Sequence, residues 1–129
     1  MRILVIDDHI LFRESLRYLL MDLEPSTVII EASSPQEALA AVSECADLNL
    51  ILLDLHLSGA NGLSILPALR EKAPGVPVVV LSAEMDAEIV REVLAAGATE
   101  FIRKTAGGRE ITRALRLILS GEGQQTVTP

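Results

Sequence analysis

Five short runs in this chain are apolar or β-branched at consecutive positions and then stop abruptly at polar residues: Ile3 to Ile6, Thr27 to Ile30, Leu50 to Leu53, Val78 to Leu81 and the brief Phe101-Ile102. A strand with one wet face alternates apolar and polar residues, whereas a strand covered on both faces has no such constraint. The pattern therefore predicts five parallel strands with helices on both sides. The intervening segments carry helical spacing to match. The first places Leu11, Ser15, Tyr18 and Leu19 near one face, and the second opens with Ser34-Pro35 as cap and first turn and presents Ala38, Leu39, Val42 and Cys45. The third, Gly62 to Ala73, contains Pro67, which would forfeit a hydrogen bond if the helix began at Gly62, so a later start capped by Ser64 is expected. The fourth runs from Asp86 to Gly97 with Ile89, Val90, Val93 and Leu94, and the fifth from Gly108 to Gly121 with Ile111, Leu115 and Ile118.

Short connections between parallel strands require right-handed crossovers, which gives a doubly wound α/β sheet of five strands and five helices. With 129 residues there is room for one such domain, here residues 1–121, followed by a polar segment, 122–129, read as a linker or C-terminal tail. The 11 Lys and Arg against 18 Asp and Glu give a net charge of -7, so the domain as a whole repels nucleic-acid phosphates and anionic lipid. No apolar run has the roughly 20 residues of a membrane helix, and Ile3 to Ile6 runs into Asp7-Asp8, unlike a signal peptide. A cytoplasmic location without membrane attachment is expected. Cys45 is the single cysteine, which excludes an internal disulfide and reads as a small buried helix residue.

Ligands of open α/β sheets bind outside the carboxyl ends of the strands. There the first strand ends in Asp7 and Asp8, the third in Asp54 and the fourth in Ser82, while Lys104 follows the fifth. Two unit charges about 4 Å apart repel by about 4 kcal/mol at an effective dielectric of 20, so three converging carboxylates call for a counter-charge. A divalent cation with all-oxygen ligation, Mg2+ or Mn2+, meets that need. His9, beside two acids, is a poor ligand for such an oxygen-seeking ion, and the side chain of His56 reads either as tuning the site mouth or as simply exposed.

The stretches Val5-Ile-Asp-Asp-His-Ile-Leu-Phe-Arg-Glu14, Leu53-Asp-Leu, Leu81-Ser-Ala and Ala95-Ala-Gly-Ala-Thr-Glu-Phe-Ile-Arg-Lys104 resemble the receiver domain of bacterial two-component response regulators, most closely the NarL and LuxR-type branch. The likeness spans about residues 1 to 121. It implies a flavodoxin-like sheet of order 2-1-3-4-5. By position it implies Asp54 as phosphoacceptor, with Mg2+ held by Asp7, Asp8, Asp54 and the backbone carbonyl of His56. Phosphoryl oxygens would meet Ser82 and Lys104, and Ser82 and Phe101 would form a switch. A sensor histidine kinase is the implied donor, a homodimer is possible, and DNA would be reached only through a further domain not contained in this chain. Two positions depart from the family pattern: Ser58 and Thr105 stand where proline is commonest.

Two other functions fit the fold less well. A flavin carrier needs a Ser, Thr and Gly-rich turn after the first strand to donate to flavin phosphate, and Asp7-Asp8-His9 would repel that group. A phosphohydrolase of the haloacid dehalogenase type puts a second Asp two residues after the nucleophile, where this chain has His56. The expected chemistry is self-catalysed phosphotransfer to Asp54 with slow loss of the phosphate, not enzymatic turnover.

Overall fold

The computed structural model describes residues 1–57, 60–83 and 86–121. Five parallel strands form the main sheet: β1 (Arg2–Ile6), β2 (Val28–Ala32), β3 (Leu50–Asp54), β4 (Val78–Ser82) and β5 (Glu100–Arg103), in the order β2-β1-β3-β4-β5. The helices are α1 (Ile10–Leu23), α2 (Pro35–Glu44), α3 (Leu66–Lys72), α4 (Ala87–Ala95) and α5 (Gly108–Leu119). This is the expected doubly wound architecture.

Consecutive apolar residues in the central strands supply two cores. Ile3, Val5, Leu50, Leu52, Val79 and Leu81 pack with Leu16 and Leu20 of α1 and with Ile111, Leu115 and Ile118 of α5. Their strand neighbours Leu4, Ile6, Ile51, Leu53, Val78 and Val80 point the other way, toward α2, α3 and Val93 of α4. Side chains alternate across a strand, so both faces must be apolar when both are covered.

Several local expectations are corrected. The buried stripe of α1 lies one residue away from the expected one: Leu16 and Leu20 are buried, with Phe12, Leu19 and Leu23 packed against them, while Leu11 and Tyr18 are 80% and 82% exposed. Strand β2 begins and ends later than Thr27 to Ile30, because the Thr27 hydroxyl turns back to donate to the Glu24 carbonyl at 2.6 Å. Ser64 does not cap the third helix, since its hydroxyl donates to the Asn61 carbonyl. Asn61 instead accepts from the Leu63 N–H at 2.9 Å and caps a 3-10 turn over Gly62–Ile65. The α-helix starts only at Leu66, with Pro67 in its first turn where no amide is required. In α4, Val93 is fully buried but Leu94 is half exposed, and Cys45 follows the end of α2 as a partly buried residue.

The expected cap of α2 holds: the Glu37 N–H donates to Ser34 Oγ, with Pro35 in the first turn. Gly97, at φ 112°, ends the α4 segment as a left-handed residue. Ser58 and the 122–129 segment lie outside the described residues.

Candidate functional site

The strand register builds the site. Ile6 of β1 pairs with Leu53 of β3, so the next residues, Asp7 and Asp54, leave the sheet side by side. Asp54 pairs with Leu81, which puts Ser82 one step further along β4. Ser82 pairs with Arg103, and its carbonyl accepts from the Lys104 N–H at 2.8 Å, anchoring the lysine backbone at the same sheet edge. The crossovers thus deliver Asp7, Asp54, Ser82 and Lys104, far apart in sequence, to one edge of the sheet.

Lys104 Nζ sits 3.0 Å from Asp54 Oδ2 and 2.9 Å from Asp7 Oδ2. Both acids are almost fully buried at 2% exposure. The ammonium also lies 4.4 Å from the centre of the Phe12 ring, whose quadrupole and bulk hold it over the acids. Asp54 Oδ1 accepts from the His56 N–H at 3.2 Å, an Asx-type turn that fixes the carboxylate plane. Asp7 Oδ1 likewise accepts from the His9 N–H at 2.7 Å.

His9 Nδ1 is 3.0 Å from Asp7 Oδ1, 3.4 Å from Asp8 Oδ1 and 3.4 Å from Asp54 Oδ2. It also lies 3.1 Å from Lys104 Nζ. One ligand atom from each of Asp7, Asp8, His9 and Asp54 can be chosen so that all lie within 4.8 Å of one another. Asp7 Oδ2 is buried, and its partner is the Lys104 ammonium at 2.9 Å. Two buried carboxylates share one ammonium and a third, Asp8, lies beside them, an excess of negative oxygen donors with the chemistry of a divalent cation site.

Behind the site, Gly62 brings the chain against the end of β3. Its N–H donates to the Leu55 carbonyl at 2.7 Å, and a Cβ there would overlap the Asp54 carbonyl oxygen. His56 is exposed and pairs with Asn61 in a two-residue antiparallel bridge, His56–Leu57 against Ala60–Asn61. Ser82 is completely buried. Phe101 on β5 is partly buried against the core on the α4 side and lines a shallow cavity of about 300 Å³ with Val90, Leu94 and Ala114.

The structure therefore brings together Asp7, Asp8, Asp54 and Lys104, with Ser82 adjacent on its strand, and places Phe101 opposite Val80, two residues before Ser82 on β4. Sequence reasoning missed two contributors. Phe12 was legible only as an aromatic residue of the first helix, since its partner Lys104 is 92 positions away. Gly62 stood out only as a helix start, although the Asn61-Gly62 pair is a turn signal in its own right.

The doubly wound sheet, with acids at the ends of β1 and β3 and a lysine after β5, has the architecture of a signalling receiver, and this chain belongs to the response regulator receiver domain family, whose model matches residues 3–116. It is 40% identical over 120 residues to the glycerol metabolism activator of Pseudomonas putida, covering 93% of this chain and 54% of that protein. It is 36% identical to the nitrate/nitrite response regulator NarL of Escherichia coli K12, covering 93% and 55%. The chain thus spans about half the length of the curated relatives it matches. Among solved structures, the signal receiver domain of the putative response regulator NarL from Mycobacterium tuberculosis matches with a TM-score of 0.80 at 31% identity, covering 93% of this chain and 96% of that one. A LuxR family DNA-binding response regulator from Silicibacter pomeroyi matches with a TM-score of 0.82 at 32% identity, covering 95% and 93%. Receiver domains of this family are signalling domains that partner with sensor histidine kinases. No helix among the described residues is long and apolar enough to cross a membrane.

Proposed function

We propose that Asp54 is the phosphoacceptor, receiving its phosphoryl group from a sensor histidine kinase. The observation that carries this reading is Asp54 Oδ2 lying 3.0 Å from Lys104 Nζ in a buried site that Asp7 shares. An Asp54 carboxylate oxygen forms the new bond to phosphorus as the phosphorus bond to the donor's imidazole nitrogen breaks, and the donor leaves as neutral histidine after taking up a proton. Asp7, Asp8, Asp54 and the backbone carbonyl of His56 would hold a Mg2+ or Mn2+ ion, which would neutralise charge on the transferring oxygens. Lys104 donates to a phosphoryl oxygen and exchanges one anionic partner for another without leaving the site. The His56 N–H keeps the Asp54 carboxylate oriented throughout.

Ser82 and Phe101 are the proposed switch. A hydroxyl that turns toward a phosphoryl oxygen vacates space beside β5, which the Phe101 ring enters from its partly buried position, and the population shifts by the difference in contact energy between the two arrangements. The face of α4, β5 and α5, including Ile89, Phe101 and Arg113, would carry that change to a partner or a second copy, with α1 and α5 as the alternative face. Residues 1–121 form the receiver and 122–129 a linker or C-terminal tail, and the switch controls an output, transcription by analogy with the relatives. The location is cytoplasmic. Phosphate is taken up and slowly lost by the domain itself, without turnover of small phosphomonoesters.

Incubation with acetyl phosphate and Mg2+ followed by intact mass measurement is expected to show one added phosphoryl group, absent from Asp54→Asn. Undiminished phosphorylation of that variant would overturn the assignment. Two-dimensional NMR with and without beryllofluoride is expected to move resonances through residues 83–104, and shifts confined to the loops around Asp54 would eliminate the switch.

A further inference from the structure

Phosphotransfer at Asp54 makes no use of the outward face of α5. Residues three and four apart on a helix share one face, so Arg109, Arg113 and Arg116 form a single basic line spanning roughly 10 Å. All three are exposed, and among the described residues none of their guanidinium groups makes an ion pair or a hydrogen bond. Other arginines of the domain find acids: Arg2 lies 3.0 Å from Asp47, and Arg17 lies 3.1 Å from Glu31. The line also weakens the helix that carries it. Arg109 is the second residue of α5, at the positive end of the helix dipole, and Arg113 has a like-charged neighbour on either side. The helix's own Glu110 lines the cavity beside Phe101 instead. The arginines border a separate shallow cavity of about 500 Å³ bounded by α1 and α5, to which Leu19 and Leu117 give an apolar lining and Asp22 a single acid. Exposed residues that destabilise their own helix and pair with nothing in the chain mark a site of contact with something outside it.

We propose that this face of α5 docks an acidic amphipathic helix of another protein, with carboxylates spaced to match the three arginines and an apolar edge laid over Leu19 and Leu117. Guanidinium and carboxylate meet as a two-pronged fork, and two helices lying side by side bring lines of equal spacing into register. A second copy of the chain does not fit. A two-fold contact centred on the line would set the three arginines of one copy against the same three of the other. Nucleic acid does not fit either: the domain carries a net charge of -7, and three arginines neutralise too few phosphates to overcome that repulsion. The α1 and α5 face is thereby assigned to a foreign acidic partner, and the assignment stands apart from the reading of Asp54 as phosphoacceptor.

The test titrates the domain, by fluorescence anisotropy, against a labelled synthetic helical peptide with glutamate at i, i+4 and i+7 and leucine along the adjoining edge. A control peptide carries glutamine in place of each glutamate. Exposed ion pairs are individually weak, so three together are expected to make the glutamate peptide bind about tenfold more tightly at low salt. Added salt should shrink that preference, and the triple variant Arg109→Gln, Arg113→Gln, Arg116→Gln should lose it. Reversing all three arginines to glutamate should transfer the preference to a lysine version of the peptide. Because the glutamine variant relieves like-charge repulsion within α5, it should melt no lower than wild type. A clear fall in Tm would give the arginines a role in the fold and overturn the inference. Equal affinity of wild type for the glutamate and glutamine peptides would overturn it too, as would duplex DNA or anionic vesicles binding as tightly as the glutamate peptide. Self-association of the wild-type chain in sedimentation, abolished in the glutamine variant, would hand the face to a second copy and refute the assignment. Each of these failures leaves the acetyl phosphate mass gain of the wild-type chain unaffected, whereas failure of the phosphoacceptor reading appears in that measurement alone.

Discussion

Replacing Gly62 with alanine adds one methyl group at a point where the obstacle is main chain. The new carbon would overlap the Asp54 carbonyl oxygen and lie 2.9 Å from the Leu55 Cα and 3.2 Å from the Asp54 carbonyl carbon. Carbon atoms in good contact stay about 3.5–4.0 Å apart, so the two segments must separate by roughly half an ångström or more. No side-chain rotation can supply that movement. Gly62 does not use a left-handed φ, so the cost is one of space alone. Overpacking of this kind costs about 1–3 kcal/mol, and the lower entropy of an unfolded chain with alanine returns about 0.4–1 kcal/mol. The net loss is about 1–2 kcal/mol. For a domain of this size each kcal/mol moves Tm by about 4 °C, so a fall of about 4–8 °C is expected. The separation also strains the 2.7 Å bond from the Gly62 N–H to the Leu55 carbonyl and shifts the backbone that carries the Asp54 carboxylate. A reactive group displaced by about 1 Å can lose about 100-fold in rate, so acetyl phosphate uptake should fall far more than stability does. The assay pairs thermal melts with intact-mass time courses well below Tm. An alanine variant with wild-type Tm and wild-type uptake would refute this account of Gly62.

Lys104→Met leaves the buried Asp7 and Asp54 without their ammonium, so melts in chelator should show a loss of about 3 kcal/mol that added Mg2+ partly restores. Asp8→Asn should raise metal-free stability by relieving repulsion, whereas Asp7→Asn should not, because Asp7 holds Lys104; equal stabilisation by both changes would count against the observed pairing. The Glu37 carboxyl is held below its usual value of 4.5, first by the Ser33 N–H and then by the Ser33 hydroxyl. A lowered folded-state value stabilises above the unfolded value and is lost as pH falls through the folded one, so the stability gap between wild type and Glu37→Gln, measured by urea melts, should be present at pH 7 and shrink as pH falls through the folded-state value. Leu52→Ala empties a fully buried position between the sheet and the α1 and α5 helices and should cost about 2–5 kcal/mol in urea melts.

The central strands were readable because β1, β3 and β4 are buried on both faces, which leaves an uninterrupted apolar signature. β2 is an edge strand with a mixed burial pattern, and its limits depended on a hydroxyl bond from Thr27 that no periodicity reveals. The face of α1 failed for the opposite reason: Ile10, Leu11, Phe12, Leu16, Tyr18, Leu19, Leu20, Met21 and Leu23 surround the helix, so several stripes satisfy a 3.6-residue period. Only docking against the sheet selects Leu16 and Leu20. At the site, Asp7, Asp8, Asp54 and Lys104 could be located because strand ends are visible in sequence and ligands collect there. The third helix shows the limit of local signals. Pro67 correctly excluded an early α-helical start, but two residues, Asn61 and Ser64, competed for the capping role, and the side-chain bond to the Leu63 N–H decided it.

Leu52 and Leu53 are joined by a peptide bond yet belong to separate neighbourhoods, because the sheet stands between their side chains. Substitutions that share no partners add, so changes on one side of this wall should leave tolerance on the other untouched. A lineage of such chains is then free to reshape the α1 and α5 layer, or the α2, α3 and α4 layer, without renegotiating its opposite. That freedom ends at Asp54, the next residue along the strand, where the wall gives way to the shared charge of the site.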